Sequence, residues 1–321
     1  NAWMQHPVGY VINEAKGRAE LVDIKAVLTQ NTALATFFHT IPSAAFTAGA
    51  FVAGISAYLI IKRKDLEMAR GTFKLGAITM LISFVIVAVS GDVTARIMTE
   101  QQPMKMAAAE ALYDTQASAP FSLLTIGTLD GSKSVFQIGI PSVLSFMSTG
   151  DFNGVVEGVN DLEAMYDEKY GPGDYTPNVP LAYWSFRLMI GFGAIASLFV
   201  FFALWQMRRG GTPKGKWFGP AMYSLPFLPI LANSFGWIFT ETARQPWAVF
   251  GLIRTADGVS AVVSAGAVLF TMITFTILYG VLAFIEFGLI LKVIKNGPVE
   301  ELDYEDPKLG GSEDKQLVMA Y

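Results

Sequence analysis

The stretch "FFHTIPSAAFTAGAFVAG", residues 37–54, is apolar except for one imidazole, that of His39. Its composition is typical of a segment that crosses a lipid bilayer. The chain has 2 histidines in 321 residues, and His39 is the one that lies inside an apolar run. An ionisable side chain in such a run is costly to bury and is a functional candidate for that reason. The first question is therefore what the ring binds.

The composition of the whole chain is that of a membrane protein. Charged residues make up 16% of the sequence, against about 25% in ordinary soluble domains, and the mean hydropathy is +0.43. Apolar residues form five runs, each long enough to cross a bilayer, at about 33–61, 75–98, 180–207, 218–240 and 263–294. The sequence therefore predicts an all-α polytopic membrane protein with five transmembrane helices. Because the chain has no cysteine, disulfides, zinc–thiolate sites and cysteine-ligated iron–sulfur clusters are excluded.

Charge is distributed unequally between the connecting segments. The loops after the first and third runs and the end of the last run are basic, through Lys62, Arg63, Lys64, Arg70, Lys74, Arg208, Arg209, Lys214, Lys216, Lys292 and Lys295. The segment between the second and third runs is mostly acidic. The positive-inside rule places the basic loops in the cytoplasm and the acidic segment outside.

This orientation divides the chain into five parts. We expect an external loop and interfacial segment at 1–32, two transmembrane helices in 33–98, an external loop at 99–179, three transmembrane helices in 180–294 and a cytoplasmic tail at 295–321. The opening "NAWMQHPVGY" is typical of an external loop that follows a previous helix. We therefore expect the chain to be part of a longer polypeptide.

Two residues of the third run are candidate partners for His39. Arg187 and Met189 lie two to three turns below the outer surface, at a depth similar to that of His39. An imidazole and a thioether on opposite sides of a flat apolar cofactor is a pattern of axial haem ligation, and Arg187 is suited to neutralise a haem propionate. The alternatives are a hydrogen bond from His39 to Ser or Thr of another helix and a packing role for Met189. Spacing alone leaves both open.

Carboxylates near the ends of other runs have two interpretations. Trp237 and Glu241 are four residues apart and share a helix face, and Arg244 follows three residues later. They form either an interfacial ion pair beside a tryptophan at the membrane–water interface or a site in which Glu241 binds metal or relays protons. Asp92, at the outer end of the second run, has the same two interpretations. Glu286, well inside the last run, is a functional candidate by its depth or an acid hydrogen-bonded between helices.

The external segment contains a second candidate site. Residues 104–113 after Pro103 are typical of a short helix, on which Lys105 and Glu110 are five residues apart. Side chains at that spacing diverge by more than a quarter turn, so they are suited to reach a substrate headgroup rather than each other. The alternative is that both are solvated surface charges.

Five motifs in order along the chain resemble those of subunit I of the bacterial cytochrome bd quinol oxidases. They are "NAWMQHPVG" (1–9), "FFHTIPSAAFTAGAFVAGISA" (37–57), "GDVTARIMTEQQPMKMAAAEALYDT" (91–115), "YTPNVPLAYWSFRLMIGFG" (175–193) and "GWIFTETARQPW" (236–247). The resemblance implies a nine-helix subunit of which this chain looks like the last five helices. It also implies a quinol:oxygen oxidoreductase activity that generates proton-motive force without pumping.

The resemblance assigns roles to individual residues. His39 and Met189 would be the axial ligands of a low-spin haem b, with Arg187 beside it. Lys105 and Glu110 would belong to the quinol-oxidising site on the external segment 99–179, which we call the Q-loop as in that family.

The same resemblance concerns the oxygen site. Glu241 would be a ligand or close neighbour of a pair of high-spin haems, haem b and haem d or b-type haem alone. Trp237 would lie nearby, Arg244 would belong to the RQPW signature, and Asn1 would be the asparagine of the motif at the end of the fourth helix. The remaining ligands would lie in N-terminal helices absent from this sequence.

The implied partners are an oxidase subunit II, small accessory membrane subunits, quinol, oxygen and membrane lipid, with no nucleic acid. The rival hypothesis is an ion- or proton-conducting transporter with Glu286, Asp92 and Glu241 along its path. The proline-rich "SLPFLPILANSFG" (224–236) is a weak sign of a broken transporter helix.

Overall fold

The structure is a computed structural model that describes residues 1–128, 131–208 and 215–296. Arg209, Lys214 and nearly all of the predicted tail at 295–321 lie outside the described residues. The chain divides into two compact units, Asn1–Phe270 and Thr271–Tyr321.

The fold is mostly helical. The helices are α1 Ala2–Gln5, α2 Ile24–Thr29, α3 Asn31–Ile61, α4 Leu66–Gln101, α5 Pro103–Glu110, α6 Val143–Thr149, α7 Val159–Tyr170, α8 Val179–Met207, α9 Phe218–Ser224, α10 Leu228–Thr242 and α11 Ala265–Asn296. The strands are β1 Tyr10–Asn13, β2 Arg18–Leu21, β3 Gln116–Ala117, β4 Phe121–Gly127, β5 Ser134–Ile140, β6 Val155–Val156, β7 Trp247–Val249 and β8 Ile253–Arg254. The strands pair as β1–β2, β3–β6, β4–β5 and β7–β8, all antiparallel. These two-stranded pairs lie in the segments outside the long helices and were not anticipated from the sequence.

The predicted polytopic membrane architecture is confirmed. The helices α3, α4, α8 and α11 are each long and apolar enough to cross a membrane, and α9 with α10 makes a fifth span if the two are taken together. The fourth run is not one straight helix, because α9 and α10 are bent by 45° at a break. Pro226 lies in that break and Pro229 in the first turn of α10, and proline has no N–H with which to continue a helix.

Close packing of α3 on α4 depends on glycine. A Cβ atom on Gly76 would lie 2.7 Å from the carbonyl oxygen of Gly49 and 2.8 Å from the amide nitrogen of Ala53, both backbone atoms. Small residues that let helix backbones approach are the usual contact between membrane helices. Gly49 and Gly76 therefore set the distance between α3, which carries His39, and α4.

We expect Gly76→Ala to destabilise this helix pair, because the added methyl group must displace a backbone rather than a flexible side chain. Overpacking of this kind costs about 1–3 kcal/mol. Gly71→Ala on the same helix is the matched control, since a Cβ there meets no atom of the described residues within 4 Å. Thermal unfolding in detergent should give a lower midpoint for Gly76→Ala alone, and equal midpoints for both variants would contradict the close approach.

Candidate functional site

The candidate residues outside α11 lie towards one end of the helix bundle. The first residues of α3 bond to the last turn of α4, with Thr32 Oγ1 donating to Gln101 Oε1 and Gln101 Nε2 donating to Asn31 Oδ1 over 2.8 Å. The Q-loop helix α5 packs against both α4 and α8 at this end. These are the helix ends that the charge distribution predicts to be outside, and the side of the membrane stays a prediction.

Helix α5 forms because its sequence favours a short helix with defined ends. Pro103 occupies its first turn, where a missing N–H costs nothing, and three alanines follow. The helix ends at Ala111, whose φ of +49° places it in the left-handed region that commonly terminates helices. All residues of α5 after Pro103 are buried, Lys105 and Glu110 included, at 7% and 2% exposure. The alternative of solvated surface charges is therefore wrong.

Lys105 is held by uncharged groups from two other segments. Its Nζ donates to Gln5 Oε1 over 3.0 Å and to the carbonyl of Thr240 over 3.4 Å. The ammonium also lies 5.3 Å from the centre of the Phe239 ring. Burial lowers the pKa of Lys105 to about 7, and the positive charge of Arg244 adds to this effect. A lysine with that pKa changes its charge near neutral pH, which is common at functional sites.

Glu110, the last residue of α5, bonds to helix α8. Its Oε2 accepts from Arg187 Nη2 over 2.5 Å and from the amide of Ser122 over 3.2 Å. Burial raises the pKa of the Glu110 carboxyl, against the opposing charge of Arg187. Tyr183, one turn before Arg187, hydrogen-bonds to Ser122 Oγ over 2.8 Å and accepts from the amide of Thr125 over 2.7 Å. Strand β4 is thereby fastened to α8 around the ion pair.

Arg187 retains capacity for a further anion. Its guanidinium carbon lies 4.7 Å from the ring centre of Phe121 and 4.9 Å from that of Tyr183. Nε and Nη1 are buried and have no hydrogen-bond partner among the described residues. Buried donors are normally paired, so the guanidinium fits a second carboxylate, such as the propionate that the sequence analysis placed beside it. Its bond to Glu110 was not anticipated.

His39 is half-buried between α3 and α4. Its Nδ1 lies 3.1 Å from Ser90 Oγ of α4, which is the interhelical hydrogen bond considered from the sequence. This contact does not compete with metal ligation, because a ligating histidine usually bonds through its second ring nitrogen to a neighbour that orients it. The ring also lies against Gly91, where an added Cβ would be 3.4 Å from its Cε1 atom.

Met189 lies on α8 against a glycine of α10. A Cβ atom on Gly236 would lie 2.8 Å from the Met189 sulfur, so a side chain at Gly236 would displace the thioether. The helices of His39 and Met189, α3 and α8, each pack against both α4 and α10. Sequence reasoning missed Gly236, although a glycine inside an apolar helix often indicates a close packing contact.

The end of α10 carries a polar cluster. Arg244 Nη2 donates to Glu241 Oε2 over 2.6 Å, and Asn1 Nδ2 donates to Glu241 Oε1. Trp237, one turn earlier, is 60% exposed. Arg244 is 5% exposed, so this pair is partly enclosed by protein.

The two remaining carboxylates lie apart from this cluster. Asp92 Oδ2 accepts from Arg96 Nε over 3.1 Å in an exposed pair along α4. Glu286 lies on α11, in the second unit of the chain.

Comparison with protein families matches residues 1–298 to the family described as cytochrome bd terminal oxidase subunit I. A similar curated protein, cytochrome bd ubiquinol oxidase subunit 1 of Bacillus subtilis (strain 168), is 38% identical over 96% of this chain and 65% of its own length. Cytochrome bd-II ubiquinol oxidase subunit 1 of Escherichia coli (strain K12) is 26% identical over 93% of this chain and 69% of its own. The chain thus spans less than two thirds of the length of the B. subtilis relative.

A solved structure has the same fold. A chain of the bd oxidase from Geobacillus thermodenitrificans superposes with a TM-score of 0.78 at 24% sequence identity, covering 93% of this chain and 66% of its own. The curated relatives are oxidase subunits, so the comparisons do not support the transporter hypothesis.

Proposed function

Because the chain belongs to the cytochrome bd terminal oxidase subunit I family, we propose that it is the haem-binding portion of a respiratory quinol:oxygen oxidoreductase. It acts as a multi-pass protein of a bacterial cytoplasmic membrane. The Q-loop and the quinol site lie on the outer face, and the C-terminal tail lies in the cytoplasm. Its partners are the rest of subunit I, an oxidase subunit II and small accessory membrane subunits.

One observation carries this proposal. Glu110 of the Q-loop is joined to Arg187 by a 2.5 Å ion pair, and Arg187 is two residues before Met189 on α8. This ion pair therefore joins Glu110, which we assign to the substrate site, to the helix that carries Met189, which we assign to the electron-accepting centre. A substrate oxidised beside Glu110 lies next to the helix that holds its electron acceptor.

The residues fit the cofactors of the family. His39 and Met189 would hold a low-spin haem b, and Glu241 would contribute to the high-spin site. The N–H groups of Arg187 that have no hydrogen-bond partner among the described residues would bind a propionate. The high-spin site would hold haem b with haem d, or b-type haem alone, and would be completed by ligands outside this chain. When bound, the haems supply one-electron transfer and oxygen reduction.

Lys105 and Glu110 act on quinol at opposite ends of α5. The Lys105 ammonium donates a hydrogen bond to a quinol oxygen, and Glu110, whose pKa burial raises, accepts a proton as quinol is oxidised. Arg187 holds that carboxylate in place. Protons released here leave on the outer face, while those used to form water come from the cytoplasm, so charge is separated without pumping.

Lys105→Leu tests the quinol site. We expect quinol oxidation to slow by about tenfold or more, since a charged hydrogen bond is worth about 1.5–3 kcal/mol, while electrons from an artificial donor still reach oxygen. Glu110→Ala should act in the same direction. Steady-state oxygen consumption with each donor measures both rates, and unaltered quinol kinetics in the two variants would remove these residues from the site.

The pH dependence gives an independent check. The pKa of Lys105 is about 7, so the ammonium is present below that pH and lost above it. The KM for quinol should therefore rise with pH above about 7, approaching about tenfold per pH unit. Lys105→Arg, whose side chain stays charged, should show no such rise; the same rise in both proteins would exclude Lys105 as its origin.

A further inference from the structure

Gln5 occupies a central position between the two proposed sites. It is 6% exposed and lies at the end of α1. Its side-chain carbonyl accepts from Lys105 Nζ over 3.0 Å, and its amide nitrogen donates to Asn1 Oδ1 over 2.9 Å and to the Thr240 carbonyl over 3.4 Å. Its backbone carbonyl accepts from Gln102 Nε2 over 2.6 Å. One glutamine thus joins α1, α5 and α10.

The contacts continue beyond Gln5 to the polar cluster of α10. Asn1, which accepts from Gln5, donates to Glu241, and Arg244 bonds to both Glu241 and Asn1, the latter over 3.4 Å. Hydrogen bonds therefore run without interruption from Lys105 to Glu241 through two side-chain amides.

The amide of Gln5 has one favourable orientation in this chain of contacts. If it were rotated by half a turn, its NH₂ group would face the Lys105 ammonium and its oxygen would face Asn1 Oδ1. Two donors and two acceptors would then oppose each other, since lysine has no acceptor. Because amides do not titrate near neutral pH, the path orients groups and transmits charge effects rather than passing protons.

From this geometry we propose that Gln5 is a positioning residue, which holds the Lys105 ammonium for quinol and couples it through Asn1 to Glu241. The inference rests on the proposed function, in which Lys105 contacts quinol. It adds a physical connection between the quinol site and the oxygen site that does not pass through Arg187.

Gln5→Leu removes the bond to Lys105 and the bond to Asn1 at nearly constant side-chain volume. We expect the KM for a soluble quinol to rise about tenfold or more, as for a lost charged hydrogen bond. We also expect the absorbance band of the high-spin haems to shift. Gln30→Leu is the matched control, because Gln30 is also buried and its side-chain amide donates locally, to the Val27 carbonyl over 3.1 Å.

Gln5→Glu separates the bond to Lys105 from the bond to Asn1. It also provides the test if the Gln5→Leu protein does not assemble. Its carboxylate still accepts from Lys105 but cannot donate to Asn1. We expect a KM close to that of the unaltered protein together with a shifted high-spin band. A KM raised as far as in Gln5→Leu, or an unshifted band, would overturn the proposed coupling.

Lys105→Leu, measured in parallel, identifies which proposal fails. If Lys105→Leu raises the KM and Gln5→Leu does not, the role of Gln5 is refuted and the quinol site stands. If Lys105→Leu leaves the KM unchanged, the proposed quinol site fails and the role of Gln5 fails with it.

Discussion

In His39→Ala the absorbance band of the low-spin haem should be lost from the reduced-minus-oxidised spectrum. The imidazole is the nitrogen ligand that we propose on α3, and alanine has no atom able to replace it. Ser90→Ala should have a weaker effect, because Ser90 contacts Nδ1 over 3.1 Å and only orients the ring. Loss of such an orienting partner typically lowers metal affinity by about 10–100-fold.

The thioether ligand is tested in the same way. Met189→Leu keeps the volume but removes the sulfur, so the low-spin band should be lost or moved. Met80→Leu is the matched control, since Met80 is fully buried in the same unit and has no proposed ligand role. A full low-spin band in purified His39→Ala or Met189→Leu would refute the ligand assignment.

The membrane spans could be predicted from sequence because hydropathy acts locally. The run predicted at 33–61 corresponds to α3 at Asn31–Ile61, and that at 180–207 to α8 at Val179–Met207. The bend between α9 and α10 was harder to foresee, because it also depends on a contact between segments. A Cβ on Gly54 of α3 would lie 2.6 Å from Pro226 Cγ, so the break in the fourth run fits against a glycine far away in the sequence.

The types of residue in the site could be predicted from the sequence, but most of the contacts between them could not. His39 was identified because an ionisable group inside an apolar run is rare, and Arg187 because it lies at a similar depth. Lys105 and Glu110 were identified by their spacing on a predicted short helix. Their partners were not, since Gln5 and Lys105 are separated by 100 residues and Glu110 and Arg187 by 77. Nothing in a local pattern indicates that an apparently exposed glutamate bonds to an arginine of a membrane helix.

Tyr183 illustrates the same limit. In the sequence it is one of several aromatic residues at the start of a membrane helix, where tyrosine is common. In the structure its hydroxyl binds Ser122 and Thr125 and fixes strand β4 beside Glu110. Its role depends on a hairpin that the sequence analysis did not anticipate, so no motif could reveal it.

Arg187→Leu should be strongly destabilising and should also abolish efficient quinol oxidation. It would leave the Glu110 carboxylate, which is 2% exposed, without its cation. Removal of one partner from a buried ion pair costs about 3–5 kcal/mol. Thermal unfolding of the detergent-solubilised protein measures the loss, and Arg96→Leu is the control, because the Arg96–Asp92 pair is exposed and such pairs contribute about 1 kcal/mol or less.

Removal of both charges separates stability from function. In Arg187→Leu/Glu110→Leu neither charge of this pair is left buried alone, so most of the lost stability should return, as it does when buried ion pairs are replaced by apolar side chains. Quinol oxidation should not return, because the carboxylate that we propose as proton acceptor and the cation bonded to it are both gone. A double variant as unstable as Arg187→Leu would mean that this arginine stabilises the fold through its contacts with Phe121 and Tyr183 rather than through Glu110. Recovery of quinol oxidation together with stability would mean that the ion pair has a structural role alone.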